Sequence, residues 1–312
     1  MAVNNSSYAG TSPWHFGTDV TNLGTSEEAL KAANLDWTVS KEPLVAQLPE
    51  GITKAVRAKF TMTRNDSRDV IGIVGKNFRP VINLEAFQIL DALAGQGGAA
   101  IESAGQTGWG ERVWMVAKLP GEILINGDKI EKRVILTNAH DGSKSLVMSF
   151  IPFNTRTNTA LNLGGKSHLS IRHTRKMDDH LKEAKRVLKM GSDYFDNLDQ
   201  IFTNLVNEKI TDDKFKAVLD RVLPIPTEVK ATKSENAREK LSELWGAEVA
   251  SSGQATGWGL LNAFASMADH HKAFKSKKGR EGSQAEIRFL SIVEGTAQSF
   301  KNTALDAILA VA

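Results

Sequence analysis

The sequence predicts an α+β protein: an antiparallel β-meander sheet packed with helices and followed by a helical C-terminal region. Three observations carry this. Val56, Ala58, Phe60 and Met62 alternate with Arg57, Lys59, Thr61 and Thr63, the period of two of a half-buried strand. Strand-like runs then follow one another from residue 99 to residue 150, divided by the turn sequences Asn126-Gly127-Asp128 and Asp141-Gly142. Beyond Thr155 the apolar spacing becomes that of helices. The chain has 312 residues, room for one large domain or two ordinary ones. It divides into an entry segment (1–54), an α+β core (55–190) and a helical region (191–312).

In the entry segment, Pro13-Trp14-His15-Phe16-Gly17 is turn-like. Thr25-Ser26-Glu27-Glu28 opens a short helix, with a hydroxyl to cap it and acids at the positive end of its dipole. Trp37-Thr38-Val39 reads as a strand that Glu42-Pro43 ends. The alternating strand at 56–63 turns through Asn65-Asp66-Ser67 into Val70-Ile71-Gly72-Ile73-Val74, an antiparallel hairpin whose glycine allows close backbone approach or a bulge. Asn83 is the expected cap of a helix from Leu84 to Leu93. Strands are predicted at Ala99–Gln106, Glu111–Lys118, Lys132–Asn138 and Leu146–Phe150. Helices are predicted at Asn158–Leu163, Arg175–Leu188, Asn197–Val206, Asp212–Leu223, Ser234–Trp245, Trp258–Phe274 and Ala285–Val311. Lys272–Ser283 is an exposed loop by composition. Gly105-Gln106-Thr107-Gly108-Trp109-Gly110 and Gly253-Gln254-Ala255-Thr256-Gly257-Trp258-Gly259 look alike, but their flanks differ and they read as coincidence.

Composition excludes several classes. Hydrophobic residues make up 41% and charged residues 24%, as in ordinary folded proteins. No apolar run reaches about 18 residues, so no membrane span is expected. The first residues lack a basic region followed by an apolar stretch, so a secretory signal is not expected either. With no cysteine, disulfides, thiolate metal sites and cysteine nucleophiles are excluded. The expected location is the cytoplasm. The formal net charge of +3 permits a polyanionic partner without demanding one.

No catalytic constellation emerges. Gly164-Gly165-Lys166-Ser167 ends like a phosphate-binding loop, but residue 160, where the first glycine belongs, is Ala. Ser145 and Ser149 lack the Gly-x-Ser-x-Gly elbow. His140-Asp141 suits a metal hydrolase in residue type, yet Asp66, Asp69, His168 and His173 offer no diagnostic ligand spacing, and Asp141-Gly142 is also ordinary turn chemistry. No cofactor, metal or catalytic residue is assigned. The basic residues say more. Lys166, Arg172, Arg175, Lys176, Lys182, Lys185, Arg186 and Lys189 are opposed only by Asp178, Asp179 and Glu183, and such charges bind phosphates without sequence preference. Lys76, Arg79, Arg112, Lys132, Arg133 and Arg156 extend the set. Phe78, Trp109 and Phe153 lie near them in sequence, as single-strand stacking requires.

Several segments taken together resemble a family of phage- and plasmid-encoded proteins carrying a domain of unknown function. They are Pro13-Trp14-His15, Val70 through Pro80, Gly108 through Pro120, Leu136 through Ser143, and Ile171-Arg172-His173-Thr174. The resemblance covers roughly residues 8–190 and is less clear in the helical third. Where the family often reads Thr-Pro-x-Arg-Val-Val-Cys-x-Asn-Thr-Leu, this chain has Ile151-Pro152-Phe153-Asn154-Thr155-Arg156-Thr157-Asn158-Thr159-Ala160-Leu161, without the cysteine. The order of hairpin, helix, meander and basic helix is also similar to the core of single-strand annealing proteins of the RecT, Redβ and Rad type. That resemblance implies a phage recombination protein that binds and anneals single-stranded DNA as a ring or filament homo-oligomer, without making or breaking bonds. The residues expected at the DNA are Lys76, Phe78, Arg79, Arg112, Arg156, Arg172, Arg175 and Lys176. Two alternatives stay open: a metal-dependent nuclease or phosphodiesterase around His140-Asp141, and a counter-defence or assembly factor that binds proteins.

Overall fold

The run Val113-Trp114-Met115-Val116-Ala117 sets the architecture. All five side chains are buried, and they alternate between two cores: Val113, Met115 and Ala117 face one, Trp114 and Val116 the other. A strand apolar on both faces must be covered on both, and here it is the middle of an antiparallel sheet with helices on either side. The computed structural model describes residues 12–144, 146–164, 167–170, 177–225, 232–271 and 283–312.

Strands β1 (Thr18–Asp19), β5 (Ala100–Thr107), β6 (Arg112–Ile125), β7 (Asp128–Ala139), β8 (Val147–Asn154) and β10 (His168–Ser170) lie side by side in that order, and β9 (Thr159–Ala160) pairs with β8. All these pairings are antiparallel. The β6–β7 hairpin turns at Asn126-Gly127, whose φ angles of 47° and 83° are those the dipeptide favours. Strands β2 (Val39–Gln47), β3 (Thr53–Arg64) and β4 (Val70–Gly75) form a second, three-stranded sheet.

One face of the main sheet carries α1 (Ser26–Ala32), α2 (Asn83–Gly97) and α3 (Met177–Asn207). The other carries Trp14 and residues of α7 (Gln284–Glu294) and α8 (Thr296–Leu309), including Phe289, Ile292, Val293 and Ala297. Helices α4 (Asp212–Val222), α5 (Thr232–Ser252) and α6 (Gly257–Ser266) complete the C-terminal part, and α6 runs into a π-helical turn at Met267–His271. The hydroxyl cap expected at Thr25-Ser26 is Thr25, and it forms a full capping box: its hydroxyl accepts from the Glu28 amide, and the Glu28 carboxylate accepts from the Thr25 amide.

The α+β class, the antiparallel meander and the helical C-terminal region agree with the expectation; several details do not. The strand predicted at Trp37 begins at Val39 and runs through Pro43, because β2 is an edge strand and tolerates a missing N–H. Asn83 does not cap α2. Ile82 occupies the cap, and Asn83 is a buried first residue whose amide donates to the Leu35 carbonyl (2.9 Å). Asn158–Leu163 is not a helix but a turn, with Asn158 at φ 52°, followed by β9. The two helices predicted within 175–206 are the single α3, and the last predicted helix breaks at Gly295, where the Ser291 hydroxyl accepts from the Ala297 amide. Residues 54 and 190 fall inside β3 and α3, so continuous elements cross both expected boundaries. The two look-alike glycine segments are a β-turn and a helix cap, structurally unrelated. The Lys272–Ser283 loop lies outside the described residues except for Ser283, which caps α7.

Candidate nucleic-acid interface

The three-stranded sheet begins as an element anchored in the core and ends as an exposed arm. At its base Val39, Met62, Ile71 and Val74 are buried. Gly72 sits directly on the His140–Asp141 loop: a Cβ there would lie 2.7 Å from Asp141 Cα, the close approach that the glycine was expected to serve. Toward the tip the alternation of β3 no longer separates inside from outside, because residues 53–59 are all exposed. Pro43 pairs with Phe60 but Val45 pairs with Ala55, so Val56–Lys59 bulge opposite Leu44, with Ala58 at φ 57°.

The arm is basic. Lys54, Arg57, Lys59, Lys76 and Arg79 are all exposed, and none forms an ion pair among the described residues. The acids nearest them in sequence are Glu50, Asp66, Asp69 and Glu85. Lys41 organises the exit of β4: its ammonium donates to the carbonyls of Lys76 (2.6 Å) and Phe78 (2.8 Å) and lies 4.6 Å from the Phe60 ring centroid. That ties the turn bearing Lys76, Phe78 and Arg79 to β2, while Lys59 pairs with Gly75 beside it.

Of the residues expected at the DNA, the structure brings together Lys76, Phe78 and Arg79. The Phe78 ring is half-buried and packs against the core rather than standing open. Arg112 is only 7% exposed and donates to the Ser143 hydroxyl (3.3 Å). The guanidinium of Arg156 is gripped by two carboxylates, Asp128 and Glu248, which hold its pKa above the ordinary arginine value. Arg112 pairs with Ala139 at one end of β7 and Arg156 binds Asp128 at the other, roughly 35 Å apart at strand rise. These two arginines thus do not share a surface with each other. Arg172, Arg175 and Lys176 lie outside the described residues, as does Lys166. In α3, Lys182, Lys185 and Lys189 are exposed, and Arg186 pairs with Glu183. Arg57 and Lys59 were missed as site residues because they read as the wet half of an amphipathic strand, and Lys41 and Lys54 because no motif singles them out. The available signal was the excess of cations over acids between residues 39 and 82.

His140 is 1% exposed. Its Nε2 lies 2.9 Å from Asn83 Oδ1, which also accepts from Asn138 Nδ2 (3.2 Å), and its ring packs 5.2 Å from the Trp37 ring. Asp141 accepts from the Ser143 amide (2.9 Å). Among the described residues no three His, Asp or Glu side chains converge to hold a metal. The pair is thus a turn plus a buried polar link between β7 and the start of α2. Burial holds the His140 pKa down to about 4, below the ordinary 6.5. The unfolded chain therefore takes up a proton that the folded one refuses as pH falls from 6.5 to about 4. Stability is intact above that window and drops by up to about 3 kcal/mol across it. Urea unfolding at pH 7 and pH 4.5 should show that loss, and His140→Gln should flatten the pH dependence even though it lowers stability at pH 7.

The fold and this site define a class: a helix-covered antiparallel-sheet protein with a basic, protruding three-stranded arm. The chain belongs to the family of the domain of unknown function DUF932, matched over residues 70–290. The match reaches well into the helical region, further than the resemblance seen in the sequence. No curated protein matches the chain, and no solved structure does. No described helix is long and apolar enough to cross a membrane.

Proposed function

We propose that this protein binds single-stranded DNA along the β2–β4 arm and anneals complementary strands as a homo-oligomer, in the manner of a phage recombination protein. The observation that carries the binding is the arm's set of five exposed cations without carboxylate partners among the described residues, Lys54, Arg57, Lys59, Lys76 and Arg79. A charge left unpaired on a protruding element attracts phosphate oxygens and gains by releasing their counterions. The same arm exposes Val45, Leu48, Ile52, Val56, Val70 and Ile73, and apolar groups of that size on an unpaired sheet suit contact with a second copy. Self-association would line weak sites along one strand and multiply their avidity. The annealing step rests on fold-level analogy with the single-strand annealing proteins.

Fluorescence anisotropy of a labelled single-stranded oligonucleotide and its duplex across a salt series, with mass photometry of the same samples, tests the reading. Salt-sensitive binding that favours the single strand, by an assembly larger than a dimer, is the expected result. Absence of binding at low salt, or preference for duplex, removes the proposal.

A further inference from the structure

Trp109 is 57% exposed, whereas Trp14, Trp37, Trp114 and Trp258 are all buried. Trp245 is half-buried and stacks on Phe215 with centroids 5.9 Å apart. Trp109 sits at the tip of the β5–β6 turn, between Gly108 at φ 61° and Gly110 at φ 109°. The turn is pinned from within and from two other elements, β3 and α7. The Trp109 amide donates to the Glu111 carboxylate (2.7 Å), the Gly108 amide donates to the Glu286 carboxylate (2.9 Å), and the Trp109 carbonyl accepts from Arg64 Nη1 (2.9 Å). Gly110 closes the turn onto the Thr107 carbonyl (3.2 Å). None of these bonds uses the indole, so the local fold does not call for a tryptophan. A large apolar ring is held on a rigid backbone and left in water.

Arg64 is the last residue of β3, so the ring stands at the foot of the basic arm. Arg68, exposed beside it, donates its amide to the Arg64 carbonyl (3.2 Å). The carboxylates of Glu111 and Glu286 at the turn repel phosphate, but the face of a nucleobase carries no charge. Arm and turn thus divide the work that a single strand requires: cations for the backbone, an aromatic face for a base.

We infer that Trp109 is the base-stacking residue of this protein, receiving one unpaired base of a strand whose phosphates run along the β2–β4 arm. A pinned turn loses little freedom on stacking, which favours binding. The inference rests on the nucleic-acid reading above, and its test separates the two. Full-length protein, Trp109→Ala and Trp109→Phe are titrated with an unlabelled single-stranded 20-mer and with an abasic strand of equal length, following intrinsic fluorescence and affinity. The expected result is quenching by the 20-mer in the wild type that is lost in both variants. Affinity for the 20-mer should fall about tenfold in Trp109→Ala and be largely retained in Trp109→Phe, with no change for the abasic strand. Quenching that persists in the variants, equal losses for both strands, or a smaller assembly in Trp109→Ala would overturn the stacking role and leave DNA binding standing. If the wild type binds neither strand, the nucleic-acid reading falls and the stacking role falls with it.

Discussion

Asp269→Ala is expected to cost about 3–5 kcal/mol of folding stability, the cost of leaving a buried charge without its partner. Asp269 and Lys301 are fully buried, with the Lys301 ammonium 3.0 and 3.3 Å from the two carboxylate oxygens. The same ammonium donates to the Ala160 carbonyl, and the Ala160 amide donates to Asp269 (2.9 Å). The pair thus binds the main sheet, through β9, to the π-helical turn and α8. The π-turn, a rare local insertion into a helix, carries Asp269. Burial pushes the Lys301 pKa below the ordinary lysine value, and Asp269 opposes that push. Without the carboxylate the folded protein holds the lysine proton still less well. The unfolded chain then binds more protons below the ordinary lysine pKa, so stability of the variant should rise with pH from neutrality toward about 10 more steeply than in the wild type. Urea unfolding at pH 7 and pH 9.5 measures both effects. Asp269→Leu combined with Lys301→Met should recover most of the loss, since replacing both charges leaves no orphan. A single variant as stable as the wild type would mean the pair is not buried as described.

The parts that sequence made legible share a physical cause. Residues 113–117, the Asn126-Gly127 turn and the Thr25 cap are decided by local chemistry, and each is found where its pattern puts it. The misread parts were decided at a distance. Asn158–Leu163 has a helix-compatible composition, yet Thr159 and Ala160 pair with Asn154 and Phe153, and the Asn162 amide is claimed by the Ile292 carbonyl (2.9 Å). Two helices were expected within 175–206, but α3 runs unbroken through Gly191, where a Cβ would lie 2.9 Å from the Phe150 ring. The site was legible only in part for the same reason. Lys76, Phe78 and Arg79 are neighbours in sequence and stay neighbours in space. Arg156 looked available until Glu248, on a helix 92 residues away, closed on it. No local pattern records that Asp269 and Lys301 meet, since each lies on a separate C-terminal element.

Replacing Lys59, Lys76 and Arg79 together by Gln should remove most single-strand affinity at physiological salt while leaving the fold unchanged. All three side chains are exposed and without ion pairs among the described residues, so their loss breaks no described contact of the folded state. Their worth lies in counterion release, which has a quantitative signature. For single strands, log affinity falls with log salt at a slope of about 0.7 per neutralised phosphate. If all five arm cations engage, the slope is about −3.5, and affinity drops roughly a hundredfold between 50 and 200 mM salt. The triple variant should retain a slope of about −1.4, so its deficit is greatest at low salt and narrows as salt rises. A structural defect would behave otherwise, lowering affinity by a similar factor at every salt concentration. The same triple change at Lys182, Lys185 and Lys189 of α3 is the control for position. If that set lowers the slope and the arm set does not, the DNA path runs along α3 and the arm serves another purpose. An unchanged slope in both would mean that neither basic surface meets phosphate.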